Sequence, residues 1–244
     1  GVLLASPSNP TGTSIARDEM AAIAAAVRER RGVTLVDEIY LALSFDAAYG
    51  HSALEHDDDI VSINSFSKYF GMTGWRLGWL VLPEELVAPV EKLAQNLYIC
   101  ASSVAQHAAL ACFDAESIAE YERRREEFRR RRDFIVPALR ELGLKVPVEP
   151  DGAFYVWADC SAFLDPSAAS AGRPEGDVAG LGRPGAGCAS SWDFCFDMMR
   201  RAHVALTPGR DFGPHAAERY VRLSFASSMA ELEQAVARLA RVLR

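Results

Sequence analysis

The stretch Ile60-Val61-Ser62-Ile63-Asn64-Ser65-Phe66-Ser67-Lys68, followed after one loop by Leu77-Gly78-Trp79-Leu80-Val81-Leu82, decides how this sequence is read. A short apolar run that ends abruptly in hydroxyls and a lysine predicts a buried strand, Ile60 to Asn64, that delivers polar side chains at its carboxyl end. The same pattern occurs twice upstream. Val2 to Ala5 runs into Ser6-Pro7-Ser8-Asn9-Pro10-Thr11-Gly12, and Val33 to Val36 ends in Asp37-Glu38-Ile39-Tyr40. Between these two, Ile15 to Arg30 is spaced as an amphipathic helix, with Ile23 and Val27 four apart. The βαβ order predicts parallel strands with a right-handed crossover, and Leu77 to Leu82 adds a further strand to a mostly parallel open sheet.

Working outward, the pattern turns helical from Pro83 to about Phe113, and Glu116 to Leu142 reads as one long, heavily charged helix. Glu126 and Glu127 precede Arg130 and Arg131 by four residues, the favourable orientation for pairs along a solvated connecting helix, so its arginines do not point to nucleic acid. Pro137 predicts a kink or break in it. Beyond Gly143 the order changes to strands at Leu144 to Val148 and Ala153 to Ala158, a helix at Trp192 to Ala202, and strands near Val204 to Leu206 and at Tyr220 to Phe225. A last helix follows behind the capping box Ser228-x-x-Glu231. The organisation expected is residues 1–115 as part of a large domain, 116–142 as connecting helix, and 143–244 as a smaller α+β domain. Asp165 to Ser191, rich in Gly, Pro, Ala and Ser, predicts a surface loop. Within it Gly180-Leu181-Gly182-Arg183-Pro184-Gly185 spells a dinucleotide fingerprint, but no strand precedes it and Pro184 interrupts it.

Composition narrows the function classes. The chain has 244 residues, half of them hydrophobic, with 26 Lys plus Arg against 33 Asp plus Glu, and a net charge of −7. That balance argues against a nucleic-acid surface. No apolar run is long enough to span a membrane. The five cysteines form no C-x-x-C pair and the five histidines show no metal-ligand spacing, so neither a disulfide framework nor a zinc site is expected, and a cytoplasmic setting is. Lys68, Lys92 and Lys145 are the only lysines, which leaves three candidates for any chemistry that needs an amine.

Ligands of parallel sheets collect outside the carboxyl ends of the strands. Three successive strands would present there an amide (Asn9), a carboxylate with a phenol (Asp37, Tyr40), and a lysine with two hydroxyls (Lys68, Ser65, Ser67). Each alone has a plainer reading: a turn before a helix for Asn9, a cap for Asp37, a snorkelling surface lysine for Lys68, an edge-strand charge for Arg76. Arg222 is harder to dismiss, because an arginine amid the apolar strand Tyr220 to Phe225 needs an anionic partner if buried. One cofactor would use the set together. Pyridoxal 5'-phosphate offers an aldehyde to Lys68, a pyridinium nitrogen to Asp37, a ring oxygen to Asn9 and Tyr40, and a phosphate to Ser65 and Arg76.

The run Ser65-Phe66-Ser67-Lys68-Tyr69-Phe70-Gly71-Met72-Thr73-Gly74-Trp75-Arg76-Leu77-Gly78 resembles the cofactor-lysine signature of class I/II aminotransferases of fold type I. Ser8 to Gly12, Asp37-x-x-Tyr40, Gly152-Ala153-Phe154-Tyr155, Thr207-Pro208-Gly209 with Phe212-Gly213, and Arg222-Leu223-Ser224-Phe225 resemble the same family in the same order. The resemblance implies an α/β fold: a three-layer, mostly parallel sheet of the pyridoxal-phosphate-dependent transferase large domain, incomplete here, plus a smaller α+β C-terminal domain. It implies an aminotransferase that moves an amino group between an L-amino acid and a 2-oxo acid through a Lys68 Schiff base, as a homodimer when complete. Lys68, Asp37 and Tyr40 would be catalytic, with Asn9, Asp37, Tyr40, Ser65, Ser67, Lys68 and Arg76 holding the cofactor. Asn9 and Arg222 would hold the substrate.

Family members carry, before the Asn-Pro motif, an arm, a small-residue phosphate turn and an aromatic that stacks on the ring, and this sequence has none of them. The chain is therefore expected to be a piece of something longer, poorly stable or inactive by itself. Three other readings stay open: a lyase or decarboxylase of the same fold, an aminotransferase-like domain of a transcription regulator, and an inactive fragment.

Overall fold

The computed structural model describes residues 1–165, 167 and 187–243. These fall into two compact units, the first made of Gly1–Asn9, Thr13–Glu127 and Asp151–Ala153, the second of Pro10–Gly12, Phe128–Pro150 and the chain from Phe154 onward.

In the first unit β1 (Val2–Ala5), β2 (Thr34–Asp37), β3 (Val61–Ser65) and β4 (Gly78–Val81) form one sheet in that order. β1 with β2 and β2 with β3 are parallel; β4 is antiparallel to β3. The sheet is thus mixed, with its three parallel strands ending at one edge. The helix between β1 and β2, α1 (Arg17–Glu29), buries Met20 and Ala24 against Val36, Ala53 and Ile60. After β4 come α2 (Glu84–Leu97), α3 (Ser103–Leu110) and α4 (Ala115–Glu141), which begins in the first unit and ends in the second. The loop between β3 and β4 is tied down at both ends. Phe66 donates its N–H to Leu77, Met72 donates to Phe66, and all three side chains sink into a cluster with Ala105, Ala109, Cys112 and Tyr121.

The second unit holds β5 (Tyr155–Asp159), α5 (Ser191–Arg201), β6 (Thr207–Pro208), β7 (Tyr220–Ser224) and α6 (Met229–Leu243), its antiparallel sheet ordered β5-β7-β6. The capping box of α6 is formed: Ser228 N–H donates to Glu231 at 2.9 Å, and Glu231 N–H donates to Ser228 Oγ at 3.3 Å.

Four sequence expectations are corrected. Leu144 to Val148 is not a strand; only Lys145 bridges Asp159, because Pro147 has no N–H with which to continue the ladder. The strand expected at Val204 to Leu206 starts at Thr207. His203 takes a left-handed φ of 54° and Val204 returns its N–H to Met198, so this segment ends α5 instead of pairing. β5 starts at Tyr155 rather than Ala153, whose φ is 57°. α4 is unbroken through Pro137, where the carbonyl that loses its donor belongs to exposed Asp133. The loop expected at 165–191 and the Gly180 to Gly185 string lie outside the described residues, apart from 165, 167 and 187–191.

Candidate active site

Parallel pairing brings the carboxyl ends of three strands side by side: Ala5 registers with Asp37, and Asp37 with Ile63. Ser6, the first residue past β1, donates its N–H to the Asp37 carbonyl, and Glu38 donates to that of Ile63. The chain beyond each strand is held as a tight turn. Asp37 Oδ1 accepts the Ile39 N–H at 3.1 Å, which leaves its other oxygen for whatever lies past the edge. Ser65 Oγ accepts the Ser67 N–H at 3.0 Å.

Within this frame Lys68 Nζ stands 5.3 Å from the centroid of the Tyr40 ring, and Tyr40 is buried. Asp37, Ser65, Ser67 and Lys68 are half-buried, and Asn9 is exposed on the turn that Ser8 closes by donating to Thr13 at 2.8 Å. The structure therefore gathers Asp37, Tyr40, Ser65, Ser67 and Lys68 at the ends of β2 and β3, with the Asn9 turn beyond β1 on the same sheet edge.

Arg76 lies farther along the same loop, next to Leu77, whose carbonyl accepts from the Phe66 N–H. Arg76 is exposed at a left-handed φ of 55°, and its guanidinium donates to the Thr73 carbonyl at 3.0 Å. Thr73 Oγ1 in turn donates to the Ser67 carbonyl at 2.6 Å, which links the arginine to the lysine loop through one residue. Ser65 lines a cavity of about 650 Å3 together with Asn64, Tyr69, Phe70, Trp79 and Arg125. Arg76 lines another, of about 740 Å3, with Trp75, Tyr98 and Ser102.

Arg222 lies in the second unit, at the centre of β7, where it registers with Trp157 on one side and Thr207 on the other. Its guanidinium carbon is 4.3 Å from the Tyr155 ring centroid and 4.8 Å from that of Phe212, and Nη2 reaches Thr207 Oγ1 at 3.4 Å. Two aromatic faces hold the planar cation in a fixed orientation. Gly209 makes this turn possible, since a Cβ there would lie 2.3 Å from the Ala217 carbonyl.

Sequence reading missed three residues that shape the site. Glu38, next to Asp37, is buried and accepts from Ser52 Oγ, the Ala53 N–H at 2.6 Å and Ser62 Oγ at 2.5 Å. Tyr69 donates to Glu122 at 2.5 Å; burial and that carboxylate push the phenol up to about 12. Asp151 grips Ser14 from 137 residues away. Alternation along β2 was the available signal for Glu38, since successive strand residues face opposite sides. Nothing local signals the other two.

The family model described as aminotransferase class I and II matches residues 1–239. The chain is 35% identical to a valine–pyruvate aminotransferase of Mycobacterium tuberculosis over 98% of its own length and 56% of the relative's. It is 36% identical to a probable N-acetyl-LL-diaminopimelate aminotransferase of Bacillus subtilis, again over 98% of the chain and 54% of the relative. The crystal structure of an aminotransferase from Mycobacterium tuberculosis superposes with a TM-score of 0.87 at 35% identity, over 100% of this chain and 57% of that one. The chain thus spans about half the length of the relatives it matches.

Proposed function

The chain belongs to the class I and II aminotransferase family, and on that premise we propose that its protein moves an amino group between an L-amino acid and a 2-oxo acid. Members of the family use pyridoxal 5'-phosphate. The donor set fits that group: a primary amine, a carboxylate, a buried phenol and two hydroxyls meet at one sheet edge, the amine 5.3 Å from the phenol ring. This meeting of Lys68, Tyr40 and Asp37 is the observation that carries the proposal.

When bound, the cofactor supplies an electron-withdrawing ring and an aldehyde carbon that exchanges its amine partner. Lys68 Nζ would supply the resting amine, and as a free amine the same Nζ would be the base that moves the proton between the substrate Cα and the cofactor's C4′ carbon. The Asp37 carboxylate keeps the ring nitrogen protonated, an electrostatic service that needs a fixed oxygen, and Ile39 holds that carboxylate at 3.1 Å. Tyr40 and Asn9 donate to the ring oxygen, while Ser65, Ser67 and Arg76 take the phosphate. Arg222 binds the substrate α-carboxylate with its bidentate edge, which orients the Cα–H bond.

The relatives' names give different donors, valine in one and N-acetyl-LL-diaminopimelate in the other, so the proposal stops at the class of L-amino acids. We further place the protein in the cytoplasm as a homodimer. Among the described residues no helix is long and apolar enough to cross a membrane. The test is an absorbance titration with pyridoxal phosphate, followed by a panel of amino acids. A cofactor band that shifts to the pyridoxamine form with a donor, and returns with a 2-oxo acid, supports transamination. A bound band that instead yields a decarboxylated or eliminated product replaces it with a lyase.

A further inference from the structure

We infer that Asp151 is a positioning residue for the turn that carries Asn9. Asn9 is exposed on the turn of residues 8–13, which Ser8 closes by donating its N–H to the Thr13 carbonyl at 2.8 Å. The two stems of the turn are fixed from elsewhere in the chain. On the downstream stem, Asp151 accepts twice from Ser14: Oδ2 from the backbone N–H at 2.9 Å and Oδ1 from the hydroxyl at 2.5 Å. Ser6 Oγ accepts the Ile15 N–H at 3.0 Å beside it.

On the upstream stem, Gly152 presses against Pro7 so closely that a Cβ would meet the Pro7 Cγ at 2.7 Å. The Asp151 carbonyl also accepts the Phe45 N–H at 2.7 Å, which anchors the tripeptide to the loop after Tyr40. Asp151 to Ala153 belongs to the first unit although the residues on both sides of it belong to the second. The tripeptide is therefore a staple across both stems of the Asn9 turn, with a third leg on the loop that follows Tyr40. A doubly accepting carboxylate holds its donors in one orientation, which is how a residue that never reaches a ligand sets the geometry of one that does.

The assignment of Asn9 to the cofactor rests on the proposed transaminase reading; the staple itself rests on the contacts above. The experiment separates the two. In the protein without cofactor, the Asn9 side-chain amide resonance and hydrogen exchange over residues 8–14 are recorded for wild type, Ser14→Ala, Asp151→Ala, Asp151→Asn and the double alanine variant. Binding of pyridoxal phosphate is then titrated for each.

Loss of the staple should raise exchange over 8–14 about tenfold in Asp151→Ala, shift the Asn9 resonance, and weaken pyridoxal phosphate about three- to tenfold. The double variant should be no worse than Asp151→Ala, because both changes break one interaction, and Asp151→Asn, which keeps an acceptor for the Ser14 N–H, should recover part of the effect. Ser14→Ala, which removes one hydroxyl, serves in place of Asp151→Ala if that variant does not fold. An unmoved Asn9 resonance with unchanged exchange, or additive single and double effects, overturns the inference. A wild type that never binds pyridoxal phosphate defeats the functional reading, and the resonance and exchange data still decide the staple.

Discussion

Lys68 Nζ lies 5.3 Å from the centre of the Tyr40 ring, each residue standing just past the end of one of two adjacent parallel strands. Among three lysines it alone has this position: Lys92 lies on exposed α2, and Lys145 pairs through its backbone with Asp159 in the second unit. Reduction with borohydride after incubation with pyridoxal phosphate should therefore leave the label on the peptide that contains Lys68, and Lys68→Ala should abolish it. A label carried by Lys92 or Lys145 in the wild type would remove Lys68 from the proposal.

Asp37 and Glu38 are neighbours with opposite duties. Glu38 is buried and satisfies Ser52, Ala53 and Ser62, so Glu38→Ala would leave those donors without an acceptor, at a cost of about 3 kcal/mol. Glu38→Gln keeps the shape and most of the bonds and should cost about 1 kcal/mol. Asp37→Ala loses one half-buried bond to Ile39, a change of about 1 kcal/mol or less, and under the proposed function it should slow turnover severely. Urea unfolding of the three variants checks the order; an Asp37→Ala chain less stable than Glu38→Ala would reverse the two assignments.

How far these roles could be read from sequence follows from what is local. The strand ends at Ala5, Asp37 and Ser65 were legible because parallel strands must finish at one edge. The adjacent carboxylates differ only in which face their pleat position selects, and the partners Ser52 and Ser62 that give Glu38 its meaning lie 14 and 24 residues away. Asp151 was hidden for the same reason, since its partner Ser14 is 137 residues upstream. The strand misread at Val204 failed through competition: its N–H had been claimed by the end of α5.

Asp159 makes the second unit sensitive to acid. Burial pushes its carboxyl up, but hydrogen bonds from Ser161 and from the Arg219 guanidinium outweigh this and hold it below the usual range. A carboxyl held low in the folded state binds protons more weakly than in the unfolded chain, whose value is about 3.9. Its contribution is complete above that value and is lost as the pH falls through the lower folded value. The melting temperature should drop on acidification below about pH 4. The drop should be shallower in Asp159→Asn; equal slopes in the two proteins would show that other carboxylates govern acid unfolding.

Many exposed large apolar side chains among the described residues lie in the first unit, on β4 and the helices after it. α2 is strongly amphipathic yet buries none of its residues, and Leu97 and Ile99 are 77% and 78% exposed. Leu80 and Val81 on β4, with Val104 and Leu110 on α3, extend the same kind of surface. Where such side chains form one patch, they mark a surface that buries itself against another polypeptide. The chain should therefore associate with rising concentration in sedimentation experiments and bind an apolar fluorescent dye. Leu97→Glu with Ile99→Glu should suppress both. Because those side chains bury almost nothing within the chain, the double variant should keep the wild-type melting temperature at low protein concentration. A wild type that stays monomeric and leaves the dye dark would mean that this face is tolerated in water, and the apolar pattern of α2 would then need an explanation other than a partner.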